Sequence, residues 1–246
     1  MQMLGKKIQI KMKKKSVLIL GASSDIGLST IKIFLNNNWK VYCHYNSSKV
    51  FEKDRNKDLE FIKINFSDSE KIIYRKLKKL QKLNISSVIN LVGFIDNNSF
   101  ENFKISKSLE TIKVNSIVPL YIIKKLLPNM IKNRFGRILQ TSSIGVKFGG
   151  GKNTFSYSLS KKLNEFIPSS VKKLASKNIL MNTLIIGVTN TKIHKKIKLK
   201  NLKQRKKLIP AKRFAEPNEI AQYIFFISSE NNNYITGQHL SISGGE

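Results

Sequence analysis

The chain has 246 residues, 41% hydrophobic and 24% charged, which suits one sizeable core and a single α/β domain. One cysteine, Cys43, excludes an internal disulfide, and three scattered histidines, His44, His194 and His239, offer no metal-ligand cluster, so no metal site is expected. Forty-five Lys and Arg against 15 Asp and Glu leave a formal charge of +30, but only six of these are arginine and the lysines run along the whole chain, which reads as compositional bias and not as a basic face built for nucleic acid.

Residues 1–15 are polar, basic and aperiodic and read as a frayed extension, with Met12 as an alternative start. No apolar run approaches the roughly 18 residues that cross a bilayer, and the basic N-terminus lacks the apolar stretch of a secretory signal, so a soluble, cytoplasmic protein is expected. Seven apolar, β-branched runs follow: Ser16–Leu20, 41–45, 61–64, 87–92, 137–141, 180–186 and His239–Ile242. Helical spacing fills most of the gaps, over 26–35, 72–83, 108–132, 157–176 and Pro217–Ser228. This alternation predicts an α/β protein, a single Rossmann-type doubly wound domain over 16–246. Its seven-stranded parallel sheet carries helices on both faces and binds ligands beyond the carboxyl ends of the strands. Residues 188–210 interrupt the rhythm with eight lysines and one arginine and no evident strand or core-facing helix; they read as a lid over a site.

The first strand runs into Gly21-Ala22-Ser23-Ser24-Asp25-Ile26-Gly27 and then a helix. Gly21 permits a sharp exit from the strand and Gly27 close packing of the helix. The helix N-terminus between them offers free N–H groups and a positive dipole end to an anion such as a dinucleotide pyrophosphate. Asp25 suits the dipole and is expected to point away from the phosphates. An NAD site places an acid about 20 residues beyond the turn. Here 41–49 contain none, and Tyr45, Asn46, Ser47 and Ser48, with Lys49 behind them, suit a 2′-phosphate, so NADP(H) is the expected cofactor. Cys43 and His44 face opposite sides of their strand; core packing for the one and a satisfied polar contact for the other are expected.

Tyr157 and Lys161 stand at i and i+4 on one helix face, where the ammonium favours the phenolate and makes the phenol a usable acid or base. Just upstream the fifth strand delivers two hydroxyls, Ser142 and Ser143, to the carboxyl edge of the sheet.

These stretches, in order, resemble the short-chain dehydrogenase/reductase family. The turn is similar to that family's Thr-Gly-x-x-x-Gly-x-Gly, with Leu20 for the threonine and Asp25 for the middle glycine. The resemblance assigns Gly21, Ser23, Ser24, Asp25, Ile26 and Gly27 to the pyrophosphate and Tyr45, Asn46 and Ser47 to the adenine ribose. Asn65 and Phe66 fall beside adenine, and Asn90, Val92 and Gly93 in Asn90-Leu91-Val92-Gly93 against the adenosine. It implies a catalytic tetrad of Asn115, Ser143, Tyr157 and Lys161, with Ser142 as the alternative serine, because fourteen positions separate Ser143 from Tyr157. Asn115, in Lys113-Val114-Asn115-Ser116, would hold a water that links the lysine to solvent. Tyr157 and Lys161 would also touch the cofactor. Gly187, Val188, Thr189 and Thr191 follow Ile186, which replaces the family's proline, and would approach the nicotinamide amide. Arg213-Phe214-Ala215-Glu216-Pro217, Ile235-Thr236-Gly237-Gln238 and Gly244-Gly245 are similar to the closing segment that forms the last strand and an oligomer contact.

The function implied is NADPH-dependent reduction of a ketone. The overall pattern is nearest to 3-oxoacyl-[acyl-carrier-protein] reductases, and Arg134 and Lys177 stand where those carry carrier-docking basic residues. The implied partners are a small-molecule or acyl-carrier-bound ketone and further copies of the chain, as dimer or tetramer, with no nucleic acid and no membrane. A reductase of a sugar or sugar nucleotide, and a cofactor-binding homologue without turnover, are the alternative readings.

Overall fold

A computed structural model describes residues 14–47, 56–193 and 202–246. Seven strands, β1 (Ser16–Leu20), β2 (Lys40–Tyr45), β3 (Leu59–Lys63), β4 (Ser87–Asn90), β5 (Gly136–Ser143), β6 (Ile179–Ile186) and β7 (His239–Ile242), form one sheet in the order β3-β2-β1-β4-β5-β6-β7. Every pairing is parallel. The order reverses between β1 and β4, which opens a crevice at the carboxyl ends of those strands.

The inner strands present alternate residues to two cores, as a two-residue period requires. Val17, Ile19, Val41 and Cys43 pack toward α1 (Asp25–Asn36) and α8 (Pro217–Ser228). Leu18, Leu20, Tyr42 and Val88 pack toward α2 (Glu70–Gln81) and α4 (Val118–Asn133). Phe34 of α1 is fully buried edge-on to Trp39 at 5.1 Å and to Phe225 of α8 at 4.9 Å. Truncating it to alanine would cost about 3–5 kcal/mol. The expected sheet with helices on both faces is the one observed.

Four elements differ from the periodicity. The helix expected over 108–132 begins earlier, as α3 (Ile105–Ile112), and passes through a π-helical stretch, Lys113–Ile117, before α4. Pro119 explains part of this: it has no N–H for the carbonyl four residues back, that of Asn115. That carbonyl accepts instead from Asn90 Nδ2 at 3.0 Å and Asn164 Nδ2 at 3.3 Å. The helix expected over 157–176 breaks into α5 (Phe155–Leu163), α6 (Ser169–Lys172) and a 3-10 turn over Lys173–Lys177, because Pro168 disfavours helical backbone at Ile167. β4 stops at Asn90 rather than 92, where the Asn90 side chain turns the chain by accepting from Val92 N–H at 3.1 Å. In 188–210, residues 194–201 lie outside the described set. The remainder is more regular than expected: α7 (Leu202–Leu208) is helical, Ile209 is buried, and Arg205 pairs with Glu246. Of the N-terminal extension, Lys14 and Lys15 are described, and they pair with Asp58 at 2.6 Å and Glu230 at 3.1 Å. Among the described residues no helix is long and apolar enough to cross a membrane, and no group of three His, Cys, Asp or Glu is placed to hold a metal ion.

Candidate active site

The turn after β1 is closed by Ser24. Its hydroxyl donates to Gly21 O at 3.0 Å and accepts from Gly27 N–H at 3.0 Å, capping α1. Ser24 is thus spent on the turn's own geometry. Gly21 has φ +75°, and a Cβ there would meet the Leu91 carbonyl at 2.9 Å; a Cβ on Gly27 would meet Ala22 O at 2.5 Å. Neither position admits a side chain, so the turn packs backbone to backbone at both glycines. The N–H groups of Asp25 and Ile26 fall in the first turn of α1, where a helix provides no internal acceptor. This donor set fits a dinucleotide pyrophosphate. Asp25 points elsewhere, its Oδ2 accepting from Lys192 N–H at 2.7 Å. Ser23, half-buried, lies within the same turn.

At the end of β2, Tyr45 is half-buried and Asn46 and Ser47 are exposed; Ser48 and Lys49 lie outside the described residues. Beside them Asn65 Oδ1 accepts from Ser67 N–H at 3.0 Å. That bond closes an Asx turn and engages one lone pair of the amide oxygen. Phe66 is buried and stacks on His44.

The chemistry gathers where β4, β5 and α5 meet. A Cβ on Gly93 would lie 3.8 Å from the Tyr157 ring, so the chain leaving β4 runs directly beneath the phenol. The Ser143 side chain, whose oxygen accepts from Gly145 N–H at 3.2 Å, stands against the Tyr157 phenol. Ser142, on the opposite side of the strand, donates to Glu165 Oε1 at 2.8 Å. The strand's two-residue period thus separates the serines, and Ser143 is the one that reaches Tyr157.

Lys161 is buried, and its Nζ donates to Val92 O at 2.7 Å and to Thr141 O at 3.2 Å, with Thr141 Oγ1 at 3.3 Å. The i, i+4 spacing predicts that this ammonium lowers the Tyr157 pKa. The structure corrects that: Nζ is 5.8 Å from the ring centroid and turned to carbonyl groups. Burial pushes the phenol up to about 12, against the Ser143 hydroxyl that lowers it, and burial pushes the Lys161 ammonium down to about 7. Asn115 sits in the π-helical stretch with its side chain clasping Phe94, Oδ1 accepting from N–H at 2.8 Å and Nδ2 donating to the carbonyl at 2.9 Å and to Ser160 Oγ at 2.9 Å. The loop after β4 is thereby fixed against α5.

At the far side, Gly187 is required by packing. A Cβ there would meet Ser243 Cα at 2.6 Å, and Gly187 N–H donates to Ile242 O at 2.8 Å. Val188 O accepts from Ala215 N–H at 3.0 Å, and buried Thr189 donates to Gly187 O at 3.1 Å. Thr191 donates to Thr189 O at 3.3 Å. A cavity of about 600 Å³ adjoins Ser143, its wall mixing Ile144, Val146, Phe155, Leu159 and Ile185 with the charged Lys147, Lys162, Glu165 and Glu246. Arg134 and Lys177 are exposed but precede β5 and β6, at the amino edge of the sheet, so within one chain they do not flank Ser143.

Three residues of this network carry no motif of their own. Thr141 donates to Asn90 O at 2.6 Å and faces Lys161. Asn164 Nδ2 joins Asn115 O to Thr141 O, at 3.3 and 3.1 Å. His44 bridges the turn to Ile64, just past β3. Asn164 lies three positions past Lys161 on the same helix face, which is the one signal its sequence position offered.

Comparison with known proteins agrees with this geometry. A family model described as enoyl-(acyl carrier protein) reductase matches residues 21–246. The 3-oxoacyl-[acyl-carrier-protein] reductase of Buchnera aphidicola subsp. Schizaphis graminum is 30% identical over 248 residues, covering 99% of this chain and 93% of the relative. That of Aquifex aeolicus is 28% identical over 248 residues, covering 97% and 99%. Among solved structures, YwfH, an NADPH-dependent reductase involved in bacilysin biosynthesis, superposes with a TM-score of 0.80 at 23% identity over 95% of this chain and 98% of the other. A 3-oxoacyl (acyl-carrier-protein) reductase from Agrobacterium tumefaciens C58 with NADP bound gives 0.82 at 16% identity over 94% of each. With a doubly wound parallel sheet, a glycine turn at its switch point, and a Ser-Tyr-Lys cluster at the carboxyl edge, this chain belongs to the short-chain dehydrogenase/reductase family of oxidoreductases.

Proposed function

We propose that this protein uses NADPH to reduce a 3-oxoacyl thioester to the 3-hydroxyacyl thioester. The observation that carries the reading is the Ser143 hydroxyl set against the Tyr157 phenol, with Lys161 one turn along the same helix. A bound nicotinamide supplies the hydride. Ser143 donates to the substrate carbonyl oxygen and stabilises the charge that develops there. Tyr157, protonated across the neutral range because burial raises its pKa to about 12, delivers its proton to that oxygen. Lys161 holds the backbone of Val92 and Thr141 around the phenol. The NADPH preference rests on the neutral Tyr45, Asn46 and Ser47 where an NAD site would carry an acid. The acyl preference rests on the likeness to 3-oxoacyl-[acyl-carrier-protein] reductases.

Three subsidiary readings accompany this proposal. Self-association would cover Ile105 and Leu109 of α3 and Leu159, Leu163 and Phe166 in and after α5, all exposed on two helices packed side by side. The segment 188–210 would act as the lid, hinged where Lys192 meets Asp25. The location would be cytoplasmic.

A steady-state assay decides the main proposal. Acetoacetyl thioesters and a panel of ketosugars are compared with NADPH and NADH in parallel, with Tyr157→Phe as control. Thioester reduction preferring NADPH and lost in the Tyr157→Phe protein is expected; turnover of ketosugars alone would replace the substrate assignment.

A further inference from the structure

We infer that His44 is a positioning residue for the cofactor: its imidazole is a strut that sets the spacing between the pyrophosphate turn and the adenine-side segment. The inference rests on a dinucleotide occupying the Gly21–Gly27 crevice. The ring is buried at the end of β2 and is bonded on both edges. Gly21 N–H donates to Nδ1 at 3.1 Å, and Nε2 lies 2.9 Å from Ile64 O.

These two partners settle the tautomer. A backbone N–H can only donate, so Nδ1 carries no proton; a carbonyl can only accept, so the proton is on Nε2. Burial keeps the ring in this neutral form, holding its pKa down at about 4. The His44 backbone adds a third tie, its carbonyl accepting from Ala22 N–H at 2.9 Å. The flat of the ring stacks on Phe66 with centroids 4.2 Å apart and planes within 8°.

One side chain thus touches the first residue of the turn, the last carbonyl before Asn65, and the ring of Phe66. Among the described residues, His44 is the side chain that hydrogen-bonds both the turn and the segment after β3. Without it, the Gly21 N–H would lose a partner where the chain passes within a Cβ's reach of Leu91. A dinucleotide that spans both segments binds best when their separation is already set. His44 does not reach the Ser143–Tyr157 pair, so its loss is expected to act on cofactor affinity and not on the chemical step.

The test separates the two ring nitrogens in the full-length protein. His44→Asn places an amide oxygen near Nδ1 and keeps the acceptor for Gly21. His44→Gln reaches toward Ile64 but leaves Gly21 without an acceptor, and His44→Leu removes both bonds. NADPH and NADH are titrated by fluorescence, and KM for cofactor and kcat are measured with the substrate the wild-type protein turns over. Dissociation constants should rise about tenfold in the Leu and Gln proteins and by less than about threefold in the Asn protein, with kcat at saturating cofactor within about twofold throughout. Thermal melts check that each variant is folded; should the Leu protein not fold, the Asn–Gln contrast decides alone. Equal affinity in Asn and Gln proteins, or a fall in kcat with unchanged cofactor KM, would overturn the strut. A wild-type protein that binds neither dinucleotide would overturn the cofactor reading itself, which distinguishes the two failures.

Discussion

The Asp25 carboxylate accepts the backbone N–H of Lys192 at 2.7 Å, tying the start of α1 to the segment that leaves β6. The acid that stands in the glycine turn is therefore engaged on the β6 side of the crevice. Asp25→Ala should free Lys192, raising amide exchange there by about fivefold, in keeping with a partly exposed charge-assisted bond of about 1 kcal/mol. Asp25→Asn keeps an acceptor and removes the charge, so its exchange should stay near wild type and its NADPH affinity should not fall. Exchange at Lys192 that is the same in all three proteins would show that the bond does not hold the segment.

The two serines of β5 should separate in kinetics as they do in space. Ser143→Ala removes the hydroxyl that faces Tyr157 and should lower kcat by about 10²–10³-fold. Ser142→Ala removes a bond to Glu165 and should cost about 1 kcal/mol of stability with kcat changed by less than about threefold. The reverse pattern in a side-by-side assay would move the catalytic role to Ser142.

Burial of Lys161 predicts a dependence of stability on pH. The ammonium has a pKa of 10.5 unfolded and about 7 folded, so between those values the unfolded chain holds more protons and wild-type stability rises with pH. Lys161→Met lacks that term. In cofactor-free thermal melts the wild type should gain on the Met protein between pH 7 and about 9.5, below the range where Tyr157 titrates. Parallel pH curves would show that the ammonium is not desolvated.

The missing acid after β2 should be the determinant of cofactor choice. Asn46→Asp introduces a carboxylate at the exposed end of that strand and should lower kcat/KM for NADPH at least about tenfold relative to NADH. An unchanged ratio would place 2′-phosphate recognition elsewhere.

The sequence by itself determined the sheet, the helices on both faces, the turn from Gly21 to Gly27 and the Tyr157–Lys161 pair. These follow from local rules: alternation of apolar residues, the backbone demands of glycine, and one-turn spacing on a helix. Tertiary structure decided what those residues do with their hydrogen bonds. That Ser143 rather than Ser142 meets Tyr157 depends on the facing of β5 against α5. That Lys161 points to Val92 and Thr141, and that burial moves both pKa values apart, depends on strands remote in sequence. The fate of the Asn115 carbonyl joins Pro119, Asn90 and Asn164, and the role of His44 joins Gly21 to Ile64. Polar contacts of this kind satisfy buried donors and acceptors wherever the packed fold brings them together, so no periodicity in one dimension announces them.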